Sequence, residues 1–341
     1  MRGPRKPPLR RQTAEKELIL RVIARPAAPL KTAIAMFCAL GLSACTMAAP
    51  VQRVPVPTVV APAQPDTLVA PVVTQESAVA MMHYARVQQQ LLSQGLLRTD
   101  GGGRDTPYTD RMLAENFLRI ALYDEYSRSA SGPVQKLTAS RLRRWEAPVR
   151  VGLRFGPSVP PERRATDTAR VASYLARLER ITGHIIRLDD AAPNFWVFIV
   201  NEDERQTLDP QIRSALPGLT TVEAAGITQM PRSTYCLVYA MSEGDGSVYT
   251  RAFAVIRAEH PDLLRLSCIH EEIAQGLGLA NDSPTARPSI FNDDEEFALL
   301  TTQDELMLKM LYNPALRPGM TEYEARPIVE SLAARLLGGN S

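Results

Sequence analysis

Hydrophobic positions with helical spacing mark two stretches in the first half of the chain. Within residues 76–97 the apolar side chains include Val79, Met82 and Leu91, set among helix-favouring neighbours. Residues 109–128 show a similar spacing. Apolar residues that recur every three to four positions form one face of a helix, so both stretches are predicted to be amphipathic helices.

A different pattern begins after residue 145. Residues 148–155 alternate between apolar and polar side chains, and residues 194–200 are a β-rich apolar run. Residues 236–241 and 248–256 flank the turn-forming sequence Glu243-Gly244-Asp245-Gly246. Alternation indicates half-buried strands, and a short Gly-rich turn between two such runs predicts a hairpin.

Helical patterns separate and follow these strands, over residues 162–182, 203–216, 263–277, 303–311 and 321–337. Strands interleaved with helices are typical of a mixed α/β (α+β) layer fold. We expect this domain to span residues 108–337 and to follow a helical segment at 76–107.

The beginning of the chain has the pattern of an export signal. Basic residues extend to Lys31, and an uncharged apolar run, 32–44, then leads to Cys45. This arrangement predicts a signal peptide at 1–44, and the apolar run is too short to span a bilayer stably. The sequence Leu42-Ser43-Ala44-Cys45 resembles the bacterial lipobox, which implies cleavage before Cys45 and lipidation of its thiol. The alternative is an ordinary signal peptide, cleaved near Ala44 or Ala49, and a secreted or periplasmic product.

The residues after Cys45 predict how a lipid-anchored domain would stand off the membrane. Residues 45–75 are rich in Pro, Val and Ala, and this composition favours an extended tether. Two or more acyl chains anchor a protein stably. Since Thr46 rather than Asp follows Cys45, attachment to the outer membrane, facing the periplasm, is expected.

The charge balance changes once the leader is set apart. The whole chain has 39 Lys and Arg against 37 Asp and Glu, but nine basic and two acidic residues lie in 1–44. The remainder is therefore mildly acidic, which argues against a nucleic-acid partner. There is also no G-x-S-x-G sequence, no phosphate-binding Gly loop and no C-x-x-C pair. Serine-hydrolase, nucleotide-binding and thioredoxin-like functions therefore lack support.

Four cysteines divide between the leader and the body. Cys38 would leave with the signal peptide and Cys45 would carry lipid, so Cys236 and Cys268 remain. In an oxidising compartment two remaining cysteines most simply form a disulfide. The alternative is a pair of buried free thiols.

The segment 268–282, CIHEEIAQGLGLAND, carries the candidate chemistry. A zinc peptidase helix has the sequence H-E-x-x-H, in which two His four residues apart face one ion and a Glu acts as base. A match starting at His270 fails, because Ala274 has no ligand atom. Starting one residue later, Glu271, Glu272 and Gln275 occupy the three positions.

The similarity continues beyond that helix. Gly278 and Asn281 stand where the longer metzincin motif, H-E-x-x-H-x-x-G-x-x-H, has its Gly and third His. Ser289-Ile290-Phe291 resembles the Met-turn with Phe for Met, and residues 300–312 resemble the closing helix, L-T-x-x-D-x-x-x-L-x-x-L-Y. Over roughly residues 145–320 the chain resembles an exported bacterial family, domain of unknown function 2927, which is similar to zincin metallopeptidases.

This resemblance implies a zincin-like mixed sheet with an active-site-type helix. Glu271, Gln275 and Asn281 would hold the three zinc-ligand positions, and Glu272 would hold the position of the general base. A carboxylate and two amides are hard, weak oxygen ligands, whereas zinc favours imidazole and thiolate. We therefore expect no bound zinc, with zinc or another divalent cation at an atypical site as the alternative.

The sequence is compatible with three functions. The first is a non-proteolytic module that binds a peptide, a protein or an envelope polymer in the former substrate cleft. The second is a hydrolase with Glu272 as general base, with an atypical metal or with none. The third is an envelope scaffold that uses the fold only for rigidity.

Other polar residues have plainer interpretations. An acidic loop follows the motif, and we expect it to be solvated rather than a calcium site; its members are Asp282, Asn292, Asp293, Asp294, Glu295 and Glu296. A structural role is expected for His270, whereas His184 and His260, each beside a turn residue, are expected to have no special role. Trp145 and Trp196 are expected to serve packing.

Overall fold

The computed structural model describes residues 73–129, 132–292 and 294–338. The predicted signal peptide, Cys45 and all but the last three residues of the predicted tether lie outside these ranges. The described helices are α1 (Gln75–Ser93), α2 (Asp110–Ala121), α3 (Pro161–Thr182), α4 (Glu202–Gln206), α5 (Asp209–Ala215), α6 (Thr221–Thr228), α7 (Asp262–Leu277), α8 (Thr302–Leu311) and α9 (Glu322–Leu336). The described strands are β1 (Tyr123–Ser129), β2 (Gly132–Ala139), β3 (Arg144–Trp145), β4 (Val149–Phe155), β5 (Ile186–Leu188), β6 (Phe195–Val200), β7 (Cys236–Ser242) and β8 (Val248–Arg257).

The central sheet is mostly parallel. Strands β5, β4, β6 and β8 lie side by side in parallel, and β3 pairs in parallel with the start of β8. β7 pairs with the other side of β8 and runs antiparallel to it. The predicted mixed α/β class is therefore confirmed.

Each face of the sheet is covered by a separate set of helices. Side chains alternate along a strand, so Val197 and Ala254 belong to one core, whereas Phe198 and Val255 belong to the other. The larger core lies under α7, α3 and α8, and the smaller one contains residues of α5 and α6. α7 packs directly against β7 and β8.

Most predicted elements form within a few residues of the expected bounds, but two differ, and several short elements, α6 among them, were not predicted. The helix predicted for 109–128 stops at Ala121, and Tyr123–Ser129 form a strand that pairs with β2. The helix predicted for 203–216 is divided into α4 and α5, since the second begins anew next to Pro210. α6 was not predicted, although Thr220 and Glu223 form a capping box at its start.

The first described helix, α1, packs on the domain that follows it. The Ser77 hydroxyl donates to Glu259 (2.8 Å), and the Tyr84 hydroxyl donates to the Arg232 carbonyl (3.0 Å). α7 begins after Pro261, which has no capping side chain, and Gln88 of α1 accepts a hydrogen bond from the Leu264 N–H (3.0 Å). A helix start has four N–H groups without intrahelical partners, so α1 supplies part of the cap of α7.

We predict that Gln88→Ala destabilises the protein, because the Leu264 N–H loses its acceptor. Loss of a capping side chain costs about 1 kcal/mol. Gln89→Ala is the matched control, since Gln89 is an exposed glutamine on the same helix. Denaturant titration of both variants measures the free energy of unfolding, and equal values for the two would contradict the capping role.

Candidate functional site

The C-terminal half of α7 lies unusually close to the sheet and its neighbouring loop. A side chain at Gly276 would overlap the Phe195 ring, and the Gly276 carbonyl accepts a hydrogen bond from Trp145 Nε1 (2.8 Å). α7 ends at Gly278, whose φ of 127° favours glycine and where a Cβ would overlap the Arg143 carbonyl oxygen. Both glycines therefore fix how the motif helix is seated.

A disulfide joins α7 to the edge strand. Cys236 of β7 and Cys268 of α7 are bonded, with their Cα atoms 5.9 Å apart. The predicted pairing is thereby confirmed. It links the antiparallel strand to the helix that carries the candidate chemistry.

Two of the three zinc-ligand positions carry amides that are engaged as hydrogen-bond donors. Gln275 Nε2 donates to Asp282 Oδ1 (2.9 Å), which ties the end of α7 to the following loop. Asn281 is only 1% exposed, and its Nδ2 donates to the Arg119 carbonyl (2.9 Å). Its backbone N–H donates to the Ile120 carbonyl (3.1 Å), so Asn281 closes the end of α2.

The two carboxylates of the motif differ in exposure. Glu271 is partly exposed, one helical turn before Gln275. Glu272, the expected base, is 3% exposed and lies on the same helix side as Cys268 and Gly276, four residues away in each direction. Glu272 therefore lies on the side of α7 that carries the disulfide to β7.

The donor set does not fit a zinc centre. Gln275 and Asn281 use their amide N–H groups in contacts with Asp282 and the end of α2, and an amide offers zinc only a weak oxygen. Within the described ranges no three His, Cys, Asp or Glu side chains lie together as a possible metal site. We derive no catalytic step through a metal.

His270 is a packing residue. Its ring stacks on Tyr174, with centroids 3.9 Å apart and an interplanar angle of 5°, and its Nδ1 accepts from the Leu300 N–H (3.1 Å). Burial, together with repulsion from Arg177, lowers the pKa of His270 to about 3. The imidazole is therefore neutral and joins α7 to α3 and to the start of the closing helix.

A buried carboxylate connects the two downstream segments that carried the resemblance. Asp304 of α8 accepts from the Ser289 hydroxyl (2.6 Å), from the Ile290 N–H (3.0 Å) and from Thr301. Burial raises the pKa of Asp304, and these hydrogen bonds oppose the rise. Phe291, which stands for the Met of the Met-turn, is fully buried.

Arginines neutralise part of the acidic loop. Glu296 accepts from Arg287 (2.8 Å) and from Arg98 (3.1 Å), and Arg287 lowers the pKa of that carboxylate. Asn292 instead donates to the Ala286 carbonyl (2.7 Å). Asp293 lies outside the described residues. The contacts of Glu296 are those of a paired surface carboxylate rather than of a calcium ligand.

His260, for which no special role was expected, is fully buried. It lies beside the disulfide, where its Nδ1 is 3.7 Å from Cys268 Sγ. It lies in the turn between β8 and α7, and no spacing in the sequence distinguishes a surface turn from this buried position. The two tryptophans do serve packing: Trp145 is 1% exposed, and Trp196 lies under the Arg154 guanidinium.

The fold and the site together define a mixed α/β domain built around an E-E-x-x-Q helix with a disulfide to its edge strand. A family model described as "Protein of unknown function (DUF2927)" matches residues 110–331, which is more than half of the chain. The chain therefore belongs to this family. No curated protein and no solved structure matches it.

We predict that the free energy of unfolding falls as the pH is lowered from about 6.5 to about 3. Over this window the unfolded chain protonates His270 while the folded protein, with a pKa of about 3 there, does not. One such histidine contributes at most about 1.4 kcal/mol per pH unit. Burial lowers the pKa of His260 as well, so both residues act in the same direction.

His270→Asn tests the assignment, since an asparagine removes the titrating ring and keeps an acceptor near Nδ1. Denaturant titrations across this pH window should give a shallower slope for the variant than for the wild type. An unchanged slope would assign the acid sensitivity to other groups.

Proposed function

We propose that this protein is a cell-envelope lipoprotein whose zincin-like domain binds an extended peptide segment without cleaving it. The observation that carries the proposal is the antiparallel edge strand β7 beside the motif helix α7. An extended peptide can add to an exposed sheet edge through main-chain hydrogen bonds, with side-chain pockets supplying specificity.

We infer that the outer edge of β7 is open to such a peptide. Among the described strands, β7 pairs with β8 alone. All seven residues of β7 are partly exposed, and the first six contribute alternately to the two cores. Strand edges that keep unpaired N–H and C=O groups readily pair with a further strand.

The motif helix supplies the flank of this edge. Gly276 packs beneath β6 and β7, and Cys268 reaches β7 through the disulfide. An α-helix turns about 100° per residue, so Glu271 and Gln275 lie on the face of α7 next to the one that carries Cys268. We infer that these two partly exposed side chains lie beside β7 and would contact a peptide bound along its edge.

Binding without cleavage follows from the chemistry of the motif. The amides at the ligand positions are committed to Asp282 and to the end of α2. A general base needs an activated water, and activation of water in zincins comes from the metal. Glu272 alone, at 3% exposure, supplies neither the metal nor an open path for water.

We predict that the protein binds linear peptides and that Gln275→Arg weakens binding about tenfold or more, because a larger charged side chain would obstruct the flank of β7. Gln211→Arg is the matched control, since Gln211 is exposed on α5, whose core lies on the opposite face of the sheet. An array of immobilised linear peptides identifies binders, and titration calorimetry measures their affinities. Methylation of alternate backbone nitrogens in a binder should abolish its affinity, since the main chain carries the contact.

Other outcomes distinguish the remaining functions. Cleavage of array peptides that stops in Glu272→Gln would replace the binding proposal with a hydrolase. Retention by peptidoglycan but by no peptide would identify an envelope polymer as the ligand. An envelope phenotype that survives joint substitution of Glu271, Glu272 and Gln275, without measurable ligand binding, would indicate a scaffold.

The lipid anchor is part of the proposal and rests on the sequence around Cys45. None of the described helices is long and apolar enough to cross a membrane. We predict that cells fed labelled palmitate label this protein, and that Cys45→Ser abolishes the label and moves the protein to the soluble fraction. Cys38→Ser is the control and keeps the label. A soluble, unlabelled wild-type protein would instead indicate an ordinary signal peptide.

A further inference from the structure

A buried histidine lies against one sulfur of the disulfide. His260 is 0% exposed and Cys268 is 2% exposed, and Nδ1 of the ring is 3.7 Å from Cys268 Sγ. This distance is within hydrogen-bonding range for sulfur. Among the described residues, no group bonds the other ring nitrogen, Nε2.

The surroundings of this ring are aromatic and include two ion-paired arginines. Tyr84 of α1 meets it edge-on at 4.4 Å, and Tyr235 does so at 5.8 Å. Burial lowers the pKa of His260 well below its usual range, and the charges of Arg257 and Arg265 lower it further. The ring is therefore neutral, and both arginines are buried in ion pairs, Arg257 with Glu202 and Arg265 with Asp167.

The two sulfurs belong to residues of different accessibility. Cys236 is partly exposed on the edge strand, whereas Cys268 is buried in α7 beneath the aromatic rings. An external thiol therefore reaches Cys236 first. The sulfur that must leave is then the one beside His260.

We propose that Cys236–Cys268 is a reducible disulfide that exchanges with dithiols, with Cys236 as the attacked sulfur and Cys268 as the leaving group assisted by His260. A thiolate of the dithiol attacks Cys236 Sγ and forms a mixed disulfide. The S–S bond breaks and its electron pair goes to Cys268 Sγ. His260 Nδ1–H donates a hydrogen bond to this thiolate, which then takes a proton from solvent.

The second thiol of the reagent completes the exchange. It attacks the mixed disulfide, leaves as a cyclic disulfide and releases Cys236 as a thiol. The reagent is oxidised by two electrons and the protein gains two thiols. Stabilising the leaving thiolate speeds the first step, and the hydrogen bond from His260 favours that step.

The unbonded nitrogen supports a chemical role for His260. A buried polar atom without a partner costs stability. When a native protein keeps such an atom, a redox or catalytic role is one explanation for it. An aliphatic side chain would fill this position beside a purely structural disulfide without that cost. The ring orientation that leaves Nε2 unbonded is also the one that brings Nδ1 to the sulfur.

Reduction kinetics of the purified, folded protein with dithiothreitol test the proposal. We expect His260→Gln to be reduced about tenfold more slowly than the wild type, since the hydrogen bond to the leaving thiolate is lost. His260→Asn should restore much of the rate, because an asparagine amide can occupy the position of Nδ1. Tyr84→Phe is the control: it keeps the ring against His260, loses only the hydroxyl contact to Arg232, and should match the wild type.

A measurement on the wild type alone does not depend on whether the variants fold. Brief exposure to excess glutathione followed by acid quenching should trap a mixed disulfide, which peptide mapping by mass spectrometry assigns to a cysteine. Glutathione on Cys236 supports the proposal. Glutathione on Cys268, equal rates for His260→Gln and the wild type, or no reduction until the protein is unfolded by denaturant, would each overturn it.

Discussion

The close seating of α7 on the sheet is the constraint on which the rest of the site depends. At Gly276 there is no room for a side chain between α7 and Phe195. The Gly276 carbonyl also accepts a hydrogen bond from Trp145 Nε1. A larger residue there would lift the helix from the sheet. This seating brings Cys268 close enough to Cys236 to form the disulfide, and it sets the direction in which Glu271 and Gln275 face.

Sequence patterns predicted the order of the main elements well, because apolar periodicity reports which face of an element is buried. They failed where local chemistry competes with periodicity. The aromatic and polar run 123–129 continues the apolar spacing of α2, yet it pairs as a strand with residues 132–139. Pro210 restarts a helix where the spacing alone indicated a continuous one.

The sequence predicted where the candidate site lies along the chain, but not which contacts its residues make. The resemblance located the motif on one helix, and cysteine arithmetic predicted the disulfide. The partners of Gln275 and Asn281 could not be predicted, because Arg119 and Ile120 belong to a helix far away in sequence. For the same reason the sequence did not predict the burial of His260, whose neighbour Tyr84 comes from α1.

The contacts of α1 also bear on where this domain begins. The family match starts at residue 110, whereas Tyr84 covers His260 and Gln88 caps α7. The packed domain thus begins near residue 75, before the region that the family model matches. In this chain, therefore, the helix that follows the proline-rich segment is part of the folding unit, and its removal would uncover His260 and leave the Leu264 N–H without its acceptor.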